Sequence, residues 1–260
     1  MQIMSQAIDV LLAAYVIWQV ARFLPEYRRL KAAIAAGDTQ ARSRVYREAI
    51  LFEWISALLA IIALRFDWSK LNPQSLNLDG TSLTRLIAHA HEFDRGLIGG
   101  IVIGVAAGTV VMVIARLRAK KSGVTIAPNA RLAWVRQRIP DFSALIPTTA
   151  HERMIWVAVA MSAGICEEAV FRGWLLSTLH TTVGLSGATM VAVAAIFFGC
   201  AHVYQGPTGV FLTALAGALF CLLYIVTGSL FVPIALHVLV DLRFAILPGV
   251  ANARPTEVAA

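Results

Sequence analysis

The stretch MIWVAVAMSAGICEEAVFRGWLLSTL, residues 154–179, is apolar along nearly its whole length but carries Glu167, Glu168 and Arg172 near its centre. It is long enough to cross the ~30 Å hydrocarbon core of a bilayer as a helix. A charged side chain at the centre of such a helix costs about 2.5–3.5 kcal/mol on translocon scales. Because three charged residues are kept despite that cost, the stretch predicts a membrane helix whose polar residues are functional.

The composition places the whole chain in the same class. The 260 residues are 58% hydrophobic and 14% charged, whereas soluble domains are about 25% charged. The net charge of +7 comes from basic residues clustered between apolar segments, which is typical of membrane topology and argues against nucleic acid as a partner. Three widely spaced cysteines predict no disulfide framework. We therefore expect an all-α, polytopic integral membrane helix bundle.

Hydropathy predicts about seven transmembrane helices. They are expected at 3–24, 49–66, 96–115, 154–179, 187–204, 209–227 and 229–247. This divides the chain into N-terminal helices with basic loops (1–150), a core (151–247) and a tail (248–260). Positive charge in loops 25–48 and 116–153 predicts that both are cytoplasmic, with the N-terminus outside and the C-terminus cytoplasmic. The alanine- and arginine-rich composition is typical of a bacterial plasma membrane protein.

Small residues recur every four positions in two of the predicted spans. They predict close helix packing, either within the chain or at a homodimer face, and the oligomeric state stays open; the rows are Gly96, Gly100, Gly104 and Gly108, and Gly209, Thr213, Gly217 and Cys221. Segment 129–139 has the pattern of a basic amphipathic helix, either on the membrane surface or at a gate.

Polar residues recur at helical spacing in the last hundred residues. Side chains four positions apart share a helix face, so Glu168 and Arg172 are expected to pair. Glu167 points about 100° away from Glu168, without that partner. An unpaired carboxylate in a low-dielectric site is suited to accept a proton from water. Glu167 is therefore a candidate general base.

Two further spans carry imidazoles. Phe198 and His202 share a face, as do His237 and Asp241. Histidine can donate or accept hydrogen bonds or bind a metal near neutral pH, and Asp241 could orient His237 or work beside it. Each pair alone is also typical of a structural interaction. Their occurrence in three adjacent spans favours one shared pocket.

The three motifs resemble those of a known family. Glu167-Glu168-Ala-Val-Phe-Arg172 matches EExxxR, Phe198-Gly-Cys-Ala-His202 matches FxxxH, and His237-Val-Leu-Val-Asp241 matches Hxxx(N/D). In this order they resemble the CAAX-protease and bacteriocin-processing (CPBP) family. The resemblance covers roughly 154–245.

The resemblance implies an intramembrane endopeptidase that hydrolyses a peptide bond near the cytoplasmic leaflet with glutamate-activated water. It implies that Glu167 is the base and that His202 helps to hold the water. His237 and Asp241 would stabilise the oxyanion. The supporting residues would be Glu168, Arg172 and Phe198.

One position departs from the family pattern. Prenyl-protein endopeptidases of the family usually have asparagine where this chain has Asp241. An ionised aspartate repels an oxyanion, so Asp241 would have to be protonated, orient His237 or bind a metal. Glu167, His202 and His237 could supply three zinc ligands with one position open for water. No other cofactor is indicated, and a divalent metal is left open.

Two other functions fit a buried polar cluster. A proton-coupled transporter would use the same groups as a relay, and a non-catalytic scaffold or immunity protein would keep the fold alone. For the protease, the partners are a protein or peptide substrate and the lipid bilayer. No residue identifies that substrate or shows whether it is prenylated.

Overall fold

A computed structural model describes residues 2–64 and 143–246 of the chain, and every regular element in these two ranges is helical. The helices are α1 (Gln2–Ala35), α2 (Ala41–Ala63), α3 (Ala150–Glu168), α4 (Leu176–Thr181), α5 (Gly187–Ala201), α6 (Gly206–Thr227) and α7 (Phe231–Ile246). A π-helical segment, Ala169–Leu175, joins α3 to α4, and 3-10 turns occupy Ser143–Leu145 and Val203–Gln205.

Three described segments are long and apolar enough to cross a membrane. They are Ala7–Ala35, Ala150–Thr181 and Val203–Thr227, and a shorter apolar helix covers Gly187–Ala201. The all-helical membrane class is therefore confirmed for the described residues. The number seven is not confirmed, since α2 and α7 are not among these segments and the predicted span 96–115 lies outside the described residues. The predictions for Gly96–Gly108 and for segment 129–139 also lie outside them.

The predicted loop 25–48 is wrong. Helix α1 continues to Ala35 and α2 begins at Ala41, so the connection is residues 36–40. A buried cluster stabilises the extra turns, because Tyr27 and Leu30 of α1 pack with Tyr46 of α2. The Tyr46 hydroxyl also donates a hydrogen bond to the carbonyl of Leu145 (2.5 Å). Much of the basic segment is therefore helix, and charge alone did not indicate where the helices end.

The start of α3 is fixed by a capping box. The Thr149 side chain accepts a hydrogen bond from the backbone N–H of Glu152, and the Glu152 carboxylate accepts one from the backbone N–H of Thr149. This reciprocal arrangement satisfies two N–H groups that a helix start leaves free. Arg42 of α2 lies 3.7 Å from the same carboxylate. The capping box thus joins the beginnings of α2 and α3 at one end of the bundle.

Small residues bring helix backbones together at two interfaces. In the predicted row on α6, Gly217 lies against the Phe198 side chain of α5, and a Cβ at Gly217 would be 3.0 Å from it. Gly199 of α5 lies even closer to the Val210 carbonyl of α6, where a Cβ would be at 2.7 Å. Gly217 of the α6 row therefore packs within the chain, one of the two alternatives that the spacing left open.

Gly164 brings α3 against α7, the helix that carries His237 and Asp241. A Cβ at this position would lie 3.0 Å from the backbone nitrogen of Val238 and closer still to its side chain. We expect Gly164→Ala to lower the free energy of unfolding by about 1–3 kcal/mol, as overpacking does, and to reduce activity by displacing α7. Thermal unfolding in detergent measures the first effect. Met161→Ala, an exposed change on the same helix, is the control, and equal melting temperatures for both variants would contradict the prediction.

Candidate active site

The three motifs converge on one cavity. Glu167 lies near the end of α3, His202 directly follows α5, and His237 and Asp241 lie on α7. All four side chains line a cavity of about 500 Å³, and so does Phe198. The pocket expected from the spacing is therefore present in the fold. Glu168 and Arg172 lie behind the cavity wall and are fully buried.

The predicted Glu168–Arg172 pair is present and extends to a third residue. Arg172 Nη1 donates to Glu168 Oε1 (3.0 Å), and the same oxygen accepts a hydrogen bond from His237 Nδ1 (2.8 Å). Arg172 Nη2 donates to the carbonyl of Gly217 (3.0 Å). These bonds offset part of the cost of removing the charges from water.

His237 is held by Glu168, whereas the sequence left that role open to Asp241. Asp241 Oδ2 is 3.7 Å from His237 Nε2, beyond hydrogen-bonding distance. The i, i+4 spacing allowed a bond within α7, but the packing of α3 against α7 gives the imidazole a closer partner. Asp241 therefore lies beside His237 at the cavity and does not fix its orientation.

Phe198 packs against the buried guanidinium and both imidazoles together. Its ring centroid lies 4.4 Å from the Arg172 guanidinium and 5.0 Å from the His202 ring. It also lies 6.0 Å from the His237 ring, edge-on. A buried arginine gains cation–π stabilisation from such a position. Phe198 thus connects both imidazoles to the buried arginine.

Both imidazoles present Nε2 to the same carboxylate oxygen. A backbone carbonyl can only accept, so His202 Nδ1 donates to the Phe198 carbonyl (2.9 Å), and Nε2 of the neutral ring is left as an acceptor. Glu167 Oε2 is 4.0 Å from His202 Nε2 and 3.9 Å from His237 Nε2. This oxygen is buried and has no hydrogen-bond partner.

The gap between these atoms has the size of a water molecule. With hydrogen bonds of about 2.8 Å, a separation of 3.9–4.0 Å requires an angle of roughly 90° at the bridging oxygen. One water can therefore contact Glu167 and an imidazole at once. Such a water would lie beside a carboxylate able to remove its proton.

The same distances do not fit a tetrahedral zinc ion. With zinc–ligand bonds of about 2.0–2.1 Å, separations of 3.9 and 4.0 Å give Glu167–zinc–His angles of roughly 145–155°, far wider than tetrahedral. Within residues 2–64 and 143–246, no three His, Cys, Asp or Glu side chains are grouped to hold a metal. Glu167, His202 and His237 would have to move to bind zinc.

Sequence reasoning missed Glu53. This residue of α2 lines the same cavity as Glu167 and Asp241. It also lies within the predicted span 49–66, so the cost of a charge in a membrane helix was a signal for it. No motif pointed to it, since α2 precedes the motif region.

Comparison with known proteins supports the motif resemblance. Residues 149–243 match the family model described as type II CAAX prenyl endopeptidase, Rce1-like. The match includes the EExxxR, FxxxH and Hxxx(N/D) positions and excludes α1 and α2. No curated protein and no solved structure matches the chain.

Proposed function

We propose that the protein is an intramembrane endopeptidase that uses glutamate-activated water, because residues 149–243 match the family model of type II CAAX prenyl endopeptidases. One observation carries the mechanism: Glu167 Oε2, buried and unpartnered, faces both imidazole Nε2 atoms across a gap of 3.9–4.0 Å. The substrate is a protein or peptide whose scissile bond enters the cavity.

Glu167 acts first as a base and then as an acid. Its carboxylate removes a proton from water held by His202 while the water oxygen attacks the scissile carbonyl carbon. The resulting tetrahedral oxyanion collapses, the C–N bond breaks, and Glu167 returns the proton to the leaving amine. The products are a carboxylic acid and an amine, with no covalent enzyme intermediate.

His237 stabilises the oxyanion in this mechanism. Its Nδ1–H is held by the Glu168 carboxylate, so an imidazolium at this position is stabilised and its Nε2–H is free to donate to the developing negative charge. A preorganised donor of this kind is worth about 10²–10³-fold in rate. Arg172, bound to the same Glu168 oxygen, fixes the carboxylate that supports the imidazole.

Access is proposed from the cytoplasmic leaflet. Tyr204, two residues after His202, packs its ring on Phe23 (4.7 Å) and Tyr27 (5.5 Å) of α1. Phe23 and Tyr27 lie toward the basic end of α1, where Arg28, Arg29 and Lys31 follow, and the positive-inside rule assigns that end to the cytoplasm. In this proposal the site lies toward that end of the bundle. The alanine- and arginine-rich composition favours a bacterial plasma membrane as its location.

Asp241 acts in this proposal as a protonated hydrogen-bond donor. The native rate is then expected to fall about tenfold per pH unit once the pH exceeds the pKa of Asp241, because only the protonated acid can donate to the oxyanion. Asp241→Asn supplies an amide donor at every pH, so its rate should stay level over the same range. The pH dependence of peptide cleavage by both proteins measures this, and parallel profiles would contradict the role.

Chelation tests the metal question separately. We expect the purified protein to keep its activity after dialysis against 1,10-phenanthroline. The separations of 3.9–4.0 Å between the Glu167 oxygen and the imidazole nitrogens are too long for a tetrahedral zinc ion to join them. Peptide cleavage before and after dialysis, together with the zinc content of the protein, is the measurement. Loss of activity that added zinc restores would establish a metal mechanism and a rearranged site.

The proposed function is tested by comparing peptide termini in membrane fractions from cells expressing the native protein and Glu167→Gln at equal abundance. New termini that disappear in the variant would establish proteolysis and reveal the substrate. A non-catalytic scaffold would give the same termini with either protein. A transporter would also give no new termini.

A further inference from the structure

Glu53 is the cavity residue that the mechanism does not use. It belongs to α2, outside the matched segment 149–243, and its side chain lines the cavity with Glu167 and Asp241. Its Oε2 is buried and has no hydrogen-bond partner. A buried carboxylate oxygen without a partner is costly, so its retention at the active-site cavity calls for a ligand that completes it.

Several other acids of the described residues are paired with arginine. Arg22 lies 2.7 Å from Glu48 and 3.2 Å from Glu26. Further pairs are Arg42 with Glu152, Arg172 with Glu168 and Arg44 with Asp38. In residues 2–64 and 143–246, Glu53 forms no ion pair with lysine, arginine or histidine.

The cavity lining therefore has more carboxylates than arginines, and Glu53 is the carboxylate without a basic partner among the described residues. Glu167 faces the two imidazoles, and Asp241 lies 3.7 Å from His237. With Asp241 protonated, the charge that faces Glu53 from the same cavity is that of another acid, Glu167. A positive charge entering from the substrate would relieve this repulsion and supply the missing partner.

We propose that Glu53 forms a specificity subsite for a lysine or arginine side chain of the substrate peptide, close to the scissile bond. This rests on the proposed endopeptidase function. A cation leaving water for a low-dielectric cavity needs a counter-charge, and Glu53 provides one beside the catalytic Glu167. Peptides with a neutral residue at that position gain nothing from Glu53, so the subsite selects among substrates.

The test uses the purified full-length protein in detergent and a peptide library that varies four positions on each side of the cleaved bond. Cleavage products are identified by mass spectrometry for native protein, Glu53→Gln and Glu48→Gln. Glutamine keeps the size of Glu53 and removes only its charge. Glu48→Gln is the matched control, because it removes a carboxylate of the same helix and cavity that is already paired with Arg22.

We expect native protein to prefer lysine or arginine over glutamine at one position by at least about tenfold, the strength of a hydrogen bond to a charged group. Glu53→Gln should abolish that preference while still cleaving neutral peptides, and Glu48→Gln should keep it. Native cleavage without a basic preference, or a preference that survives Glu53→Gln, would overturn the subsite alone. A fall in rate that is equal for basic and neutral peptides would also overturn it.

Capture of the same library on Glu167→Gln separates binding from catalysis. Peptides retained by this variant should be enriched in lysine and arginine, and Glu53→Gln in the same background should remove the enrichment. If native protein cleaves nothing, the proposed function fails, while enrichment that depends on Glu53 still supports a cation subsite. Absence of both cleavage and enrichment would overturn both proposals.

Discussion

Glu167→Gln is expected to lower the turnover of a peptide reporter by about 10²–10⁴-fold, the usual contribution of a positioned general base. Glutamine keeps the side-chain volume but cannot accept a proton from water. Because Glu167 Oε2 makes no hydrogen bond in the described structure, the change breaks no hydrogen bond at this oxygen and removes only its charge near the imidazoles. The melting temperature should therefore stay close to the native value.

Steady-state kinetics and thermal unfolding of the same preparation check this result. KM should change little, since the water-activating group is not proposed to bind substrate. A variant that loses turnover only in proportion to a lower melting temperature would show that Glu167 is structural. A variant with native turnover would remove the glutamate mechanism.

Arg172→Met is expected to have the largest effect on stability, lowering the free energy of unfolding by about 3–5 kcal/mol. The change leaves Glu168 as a buried charge without its guanidinium partner, and it removes the hydrogen bond to the Gly217 carbonyl. Methionine fills part of the space between Phe198 and Phe220, so the loss comes mainly from the uncompensated charge. Folded yield and thermal unfolding in detergent measure it.

The double variant Arg172→Met with Glu168→Gln is the control. Removing both charges together should recover much of the stability, as replacing a whole buried ion pair often does. Its turnover should stay low, because His237 loses the carboxylate that holds Nδ1. A double variant as unstable as the single one would show that packing around Arg172, and not charge, determines stability.

The spacing alone did not show that the motifs converge, but polar insertions in three adjacent apolar spans favoured one shared pocket, because such groups often pair with one another in a membrane. The Glu168–Arg172 pair was predictable from the i, i+4 spacing, because side chains four positions apart share a helix face. The spacing also assigned Glu167 to a different face from Glu168, and Glu167 faces the cavity whereas Glu168 lies behind its wall.

Contacts between distant helices were not predictable in the same way. The bond between Glu168 and His237 depends on how closely α3 approaches α7, which Gly164 determines and no local pattern reports. Glu53 lies on a helix without a motif, so only its tertiary position assigns it to the cavity. The ends of α1 and α2 depend on burial of Tyr27, Leu30 and Tyr46, which charge does not reveal.

The Glu168–Arg172 pair also affects how the chain can enter the bilayer during synthesis. Helix α3 leaves the ribosome long before α7, so His237 cannot accompany Glu168 through the translocon. With both partners one turn apart, the apolar segment Ala150–Thr181 carries its own counter-ion when it partitions into lipid. The histidine then docks onto a pair that already exists, and the active site is completed last, when α7 arrives.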